Sequence, residues 1–475
     1  MKNSIANIRN MQAGFVKPLL LIIVAVLIIA GIYLAINQGA RKGLKEKAML
    51  KTAEIVGKIA AKGMESASDL MSIPVEVHRM NDFIYRASGI ADVYLIATTD
   101  GNVVFDTGLV TQAALQLRLL KKAAPENRLS YIVLSHSHAD HIGGFKFWAE
   151  DGVPVIAHRA FLENQRFQKE LVPYLWNRNR TLYPFIPKKP QMKGMFAYGG
   201  VEPTILVDDY TVYRFKLGGI RFEVIPTPGA EGDDNLCLWL PDQKILFAGD
   251  TLGPLFPQFP NIFCMRGEKI RKPIEYIRSL NRIIELEPEM ILAGHFVSVE
   301  GNEKIRADLI RIRDAVQYVH DAVIAGMNVG KTVYQLMEEI NLPPGLELTQ
   351  VHGRVSRAVR SMWEYYTTWF HFDSTTELFP VPARYIYGEL NELAGSEKLV
   401  RKAREHLEKN QPVHALHFLE IALAGNPDSR PALEARMGAL NMLLTQAKEG
   451  FRNTYEIMWL KYRIRDTEEK LQGKS

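Results

Sequence analysis

The stretch "VLSHSHADHIGG", Val133 to Gly144, constrains this chain more than any other. Three histidines and an aspartate fall within six positions, directly after an apolar run and before two glycines. A strand places alternate side chains on one face, so His136 and His138 at a strand end point the same way. Asp140 and His141 follow as the chain turns, and Gly143 and Gly144 permit a tight turn into a helix. The motif therefore offers two nitrogen ligands to one metal and a carboxylate plus a third imidazole to a neighbouring one. Nitrogen and carboxylate donors suit Zn²⁺. The two cysteines, Cys237 and Cys264, are too few for a thiolate cluster or a disulfide framework.

The 475 residues allow about two to three domains. A net charge of only +5 argues against a nucleic-acid partner. Residues 18–36 read "PLLLIIVAVLIIAGIYLAI" without a charge, long enough to span a bilayer and long for a signal peptide. The expectation is one N-terminal transmembrane helix (residues 1–40) and a single-pass location in the inner membrane. The catalytic body would be periplasmic, with the cytoplasmic side open. Residues 41–74 read as a helical linker.

From 75 to 305 short strands alternate with turns and helices. "DVYLIATTDGNVVFDTG" is a hairpin signal around Asp-Gly, and "LSYIVLS", "PVIAH", "NLCLWLPDQKILFAGD" and "EMILAGH" read as further strands. The expected class is α/β, two mostly antiparallel sheets with helices outside. From 306 to 475 the pattern is helical, and "AL..LE.AL..NP" has the rhythm of paired helices.

HSHADH followed by two glycines resembles the signature of the metallo-β-lactamase superfamily, which implies an αββα sandwich with two metals at one edge. Matching positions follow in order: Glu231 in "PTPGAEGDDN", Asp250 in "FAGDTLG" and His295 in "ILAGHF". Glutamate after Pro-Gly resembles the alkyl sulfatase branch. So does "NIFCMRGEKIRKPIEYI", whose Arg266 and Asn261 match sulfate-binding and neighbouring substrate-site residues of that family. The region 306–475 resembles its dimerisation domain, implying a homodimer.

The resemblance implies two Zn²⁺ per chain. His136, His138 and Glu231 would flank one and Asp140, His141 and His295 the other, with Asp250 bridging and Asp140 orienting the attacking water. The implied substrate is a small amphiphilic ester, above all an alkyl sulfate. Lactones, thioesters and phosphodiesters are the alternative, and a non-catalytic membrane scaffold the third reading. The departures bear on substrate. Asp250 stands where the branch has glutamate, "FHFDSTTELFP" replaces Phe-Asp-Gly-Asn-Pro, and the sterol-carrier-like domain is expected to be missing. The loop "LGPLFPQFPNIF" either packs over the core or lines an alkyl pocket. His158 and His371 read as packing or supporting residues, and Asp106 as a support for the metal loop.

Overall fold

The computed structural model describes residues 73–184, 186–194, 197–229, 231–296 and 298–473. Two sheets face one another. The first runs in sequence order through β1 (Val77–Arg79), β2 (Ile84–Ala87), β3 (Val93–Thr98), β4 (Gly101–Phe105), β5 (Leu129–Val133), β6 (Val155–His158) and β7 (Ile205–Val207). Its first four strands are antiparallel, and β4 to β7 are parallel. The second holds β8 (Tyr213–Leu217), β9 (Ile220–Pro226), β10 (Leu236–Leu240), β11 (Ile245–Gly249), β12 (Met290–Ala293) and β13 (Ser298–Glu300). There only β11 and β12 run parallel.

Alternation along each strand decides the layering. In β3, Tyr94 and Ile96 enter the space between the sheets, while Val93 and Leu95 face outward. In β10, Leu236, Leu238 and Leu240 face inward, and Cys237 and Trp239 face the outer helices. Both faces are covered, which is why these strands read as unbroken apolar runs. The helix Val110–Ala123 covers the first sheet through Leu120. The helix Pro273–Glu285 covers the second through Tyr276, Ile277, Leu280, Ile283 and Ile284.

The helix Asn302–Asn328 buries Ile305, Leu309, Ile312, Val316, Val319 and Val323 at three- and four-residue spacing. That stripe joins the same outer core as Val359 and Met362 of the helix Val355–Thr367. Helices Ser396–Glu408, Pro412–Gly425, Arg430–Glu449 and Thr454–Leu471 form a further bundle. Ala403, Ala415, Ala422, Ala432 and Ala439 are fully buried in it, and their small side chains let the helices approach closely.

The expectation of one transmembrane helix, and with it the single-pass inner-membrane location, is corrected here. Among the described residues no helix is long and apolar enough to cross a membrane. The longest, Asn302–Asn328, carries Lys304, Arg306, Asp308, Arg311, Arg313 and Asp314, and such charges are costly in hydrocarbon. Residues 18–36, on which the expectation rested, and the expected helical linker up to residue 72 lie outside the described residues.

Candidate metal centre

The site forms where four strand ends leave the sandwich. β5 ends at Val133, and His136 and His138 follow in the loop; Asp140 and His141 sit on a single helical turn, Ala139–Ile142. Glu231 lies in the loop between β9 and β10, Asp250 directly after β11, and His295 two residues after β12. The two glycines act through close approach, since neither has positive φ. A Cβ on Gly144 would run into Thr107 O and the Ala113 side chain, and Gly144 N–H donates to Gly108 O at 2.9 Å.

All seven expected ligands converge. The donor atoms of three trios each lie within 4.8 Å of one another: His136, His141 and Asp250; Asp140, His141 and His295; His138, Glu231 and Asp250. The expected grouping of Asp140, His141 and His295 is among them. The other expected trio is not, because His136 groups with His141. Asp250 belongs to two trios, with Oδ1 at 3.3 Å from His141 Nε2 and Oδ2 at 3.2 Å from His295 Nε2.

The outer ring nitrogens are occupied. Asp106 Oδ2 lies 2.8 Å from His141 Nδ1. Ser135 donates its hydroxyl to Asp106 at 2.8 Å, so its oxygen is left to accept from His136 Nδ1 at 2.9 Å. The Ile90 carbonyl takes His295 Nδ1. Each ring is thereby fixed in the tautomer that turns a lone pair inward. Asp106 itself adopts φ 59°, a left-handed conformation that aspartate tolerates better than most residues, and it also accepts from Ser135 N–H at 2.7 Å.

This donor set fits a cation. His141 Nε2 and Asp250 Oδ1 are buried without a hydrogen-bond partner; each such group costs about 1–3 kcal/mol when left unsatisfied. His136 Nε2 and His138 Nδ1 face each other at hydrogen-bonding distance, 2.8 Å, so both nitrogens are turned into the cluster. Charges within the cluster are correspondingly displaced. Burial and then the neighbouring imidazoles of His141 and His138 push His136 well down. Burial opposes protonation of His295, but Asp250 and Asp140 lift it to about 9.

The Glu231 flank holds residues that motif reading missed. Arg271 reaches Glu231 Oε2 at 2.9 Å and His352 Nε2 reaches Oε1 at 3.4 Å. Burial pushes the Glu231 carboxyl up, yet Arg271 and His352 hold it at about 2. Glu268 stands 3.2 Å from His138 Nε2, 3.4 Å from Arg266 and 2.7 Å from Arg271. Arg266 is also 3.8 Å from Glu231, and its buried Nε has no hydrogen-bond partner. The Asn261 side-chain amide lies 3.4 Å from His352 Nε2, and the Asn261 backbone carbonyl accepts from Arg271 at 2.6 Å. Arg271 and Glu268 follow Arg266 in one charged run, which could have drawn attention to them. His352 stands alone just ahead of the helix Val355–Thr367, with no motif to mark it.

Asn453 connects that region to the site. Its buried amide donates to the carbonyls of Gln350, His352 and Gly353 at 3.0, 3.1 and 3.2 Å. His158 pairs instead with Asp209 at 3.1 Å and His371 with Glu364 at 3.3 Å, outside the cluster. The phenylalanine-rich loop takes the packing alternative. Phe259 and Ile262 are buried in the core beneath the second sheet, and Phe263 packs beside Tyr455. A cavity of about 370 Å³ opens at His138 and Glu231, and Lys269, Arg271, Arg278, Arg282, Asp233 and Asp234 stand among its lining.

Comparison with known proteins agrees with this geometry. Residues 88–295 match the metallo-beta-lactamase superfamily, and residues 332–463 match the alkyl sulfatase dimerisation family. A linear primary-alkylsulfatase from a Pseudomonas strain is 30% identical over 312 residues, covering 61% of this chain and 58% of the relative. The alkyl/aryl-sulfatase BDS1 of Saccharomyces cerevisiae is 22% identical over 408 residues, covering 79% of this chain and 62% of its own. The chain thus spans about three fifths of the length of these relatives. Among solved structures, the stereoselective inverting sec-alkylsulfatase Pisa1 from Pseudomonas sp. superposes with a TM-score of 0.72 at 20% identity, over 86% of this chain and 67% of that one. With the ligand cluster at the sandwich edge, the chain carries a metallo-β-lactamase domain followed by an alkyl sulfatase dimerisation domain.

Proposed function

We propose that the protein is a di-zinc hydrolase that cleaves alkyl sulfate esters to an alcohol and sulfate. The observation that carries this is the inward convergence of four imidazole nitrogens and three carboxylates beside an arginine with an unpartnered nitrogen. His136, His138 and Glu231 would hold one zinc, Asp140, His141 and His295 the other, and Asp250 would bridge. Zinc in such a site supplies Lewis acidity and lowers the pKa of water from about 15.7 to about 7.

The chain's own groups do the rest. Asp140, the most exposed of the seven with a quarter of its side chain open, accepts a hydrogen bond from the attacking water and aims its oxygen. Arg266 takes the sulfate oxygens, because a planar guanidinium matches a tetrahedral oxyanion with paired hydrogen bonds. Asn261 borders the same place through His352. The protein works as a homodimer. Between residues 366 and 393 it exposes Trp369, Phe372, Phe379, Tyr385 and Leu393 to 61–87%, an apolar surface that a second copy would cover.

The test is sulfate release from dodecyl sulfate and from a secondary alkyl sulfate by the zinc-loaded chain, with His138→Ala as control. Release that disappears in the control is the expected result. No release from a chain that still binds about two zinc ions would sink the sulfatase reading. One observation favours a second reading, a hydrolase of another ester class. The cavity at His138 carries charged groups on its wall and the phenylalanine loop turns away from it, which suits a polar ester better than a long alkyl chain.

A further inference from the structure

Of the four imidazoles in the cluster, three have their outer nitrogen held by the sandwich itself: His136 by Ser135, His141 by Asp106 and His295 by the Ile90 carbonyl. His138 is the exception. It turns Nδ1 rather than Nε2 toward the cluster, 2.8 Å from His136 Nε2. Its Nε2 faces a carboxylate oxygen of Glu268 at 3.2 Å. A carboxylate accepts only, so this contact places the proton on Nε2 and leaves the Nδ1 lone pair directed inward. Ser135 fixes the opposite tautomer on His136, because its hydroxyl hydrogen is already given to Asp106. Both inward nitrogens, His136 Nε2 and His138 Nδ1, are then left as lone-pair donors on the cluster side, available to a cation seated beside them.

Glu268 is itself held firmly. Arg271 grips its second oxygen at 2.7 Å, and Arg266 lies 3.4 Å from the first. Its loop is tied down by Arg178, which donates to the carbonyls of Met265 and Arg266 at 2.9 and 3.1 Å. Gly267, at φ +90°, makes the reversal between Arg266 and Glu268 that lets both approach the site. A single carboxylate thus touches a candidate metal ligand on one side and the candidate sulfate-binding arginine on the other.

We propose that Glu268 is a positioning residue of the metal centre, fixing the tautomer and ring orientation of His138 and tying that ligand to Arg266. The inference rests on the reading of the cluster as a zinc site. Glu268 touches neither the scissile bond nor a metal; it acts through His138. A neutral amide in its place is nearly isosteric but can present either an acceptor or a donor to Nε2, so the ring loses its enforced tautomer.

The experiment compares full-length wild type with Glu268→Gln and Arg266→Gln. The readouts are zinc affinity by competition with a chromophoric chelator, the visible spectrum of the cobalt(II)-loaded chain, and the unfolding midpoint of the metal-free chain. In Glu268→Gln one of the two zinc sites should weaken by about 10–100-fold, with a changed cobalt spectrum and little movement of the metal-free midpoint. Arg266→Gln should keep the wild-type spectrum and an affinity within about threefold, well short of the loss expected of a supporting carboxylate. Glu268→Gln with unaltered affinity and spectrum, beside a wild type that binds zinc, overturns this inference alone. Equal zinc loss in both variants, accompanied by a midpoint drop of more than about 2–4 °C, the equivalent of roughly 1 kcal/mol or more for a domain of this size, assigns Glu268 to holding the loop and overturns it too. A wild type that takes up no zinc overturns both the zinc reading and this one.

Discussion

The two flanks of the cluster are built on different principles. Around His141 and His295 the supports are a buried aspartate, a serine hydroxyl and a backbone carbonyl, all from the sheet edges. Around His138 and Glu231 they are longer polar side chains: Glu268 and Arg271 from one loop, and His352 from the segment just ahead of the helix Val355–Thr367. The first flank is rigid because its supports have few rotatable bonds, and Asp106 and Ser135 lie just beyond the paired strands β4 and β5. The second is held by opposed charges, and its geometry depends on how well the helical region seats. The same fold can therefore keep one half of a site constant and vary the other.

Asp250 spans both flanks, so its loss should be the most damaging. Asp250→Asn is expected to bring sulfate release down to background and to remove most of the bound zinc, measured by metal analysis of the dialysed protein. Retention of both zinc ions would deny the carboxylate its bridging place. Asp106→Ala comes next and strikes only the rigid flank. Zinc affinity should fall by about 10–100-fold, and the orphaned Ser135 amide should destabilise the metal-free chain by about 1–3 kcal/mol. Equilibrium denaturation checks the second effect. An unchanged stability would mean that the loop relaxes, and that this flank is less rigid than argued.

His352→Ala probes the charged flank. It removes one of three partners of Glu231 while Arg271 and Arg266 remain, so zinc affinity should drop by less than about tenfold, below the range for a sole supporting group. A drop as large as that of Asp106→Ala would erase the distinction between the flanks. The smallest effect on the site is expected from the double substitution Trp369→Ser and Phe372→Ser, at side chains 67% and 87% exposed. Analytical ultracentrifugation should register dimers converted to monomers, with zinc content unchanged. Zinc lost together with the dimer would show that the charged flank depends on the partner copy.

The candidate ligands on both flanks were legible in the sequence, and the supports of the charged flank were not. His136, His138, Asp140 and His141 sit within six positions, and the family resemblance carried by that motif implied Glu231, Asp250 and His295 downstream. The layering was legible too, since alternation in β3 and β10 assigns each side chain to a face. Glu268 and Arg271 are common residue types in a charged stretch, where a solvated surface is the usual outcome. His352 meets Glu231 across 121 positions of chain, a separation no local pattern encodes. The loop rich in phenylalanine and proline misled in part because burial in a core and contact with an alkyl chain demand the same residues. The apolar run near the N-terminus met a general criterion for spanning a bilayer, and none of the helices described meets it.

The three carbonyls gathered by Asn453 also bear on the making of the protein. Every expected ligand has been added to the chain once His295 is translated, yet the amide that fixes the His352 backbone comes much later in the chain. At about 5–20 residues per second the interval is roughly 8–30 s. Through that interval the nascent chain holds every expected ligand but not the final support of its Glu231 side. Biosynthesis thus separates synthesis of the donor set from synthesis of its last brace.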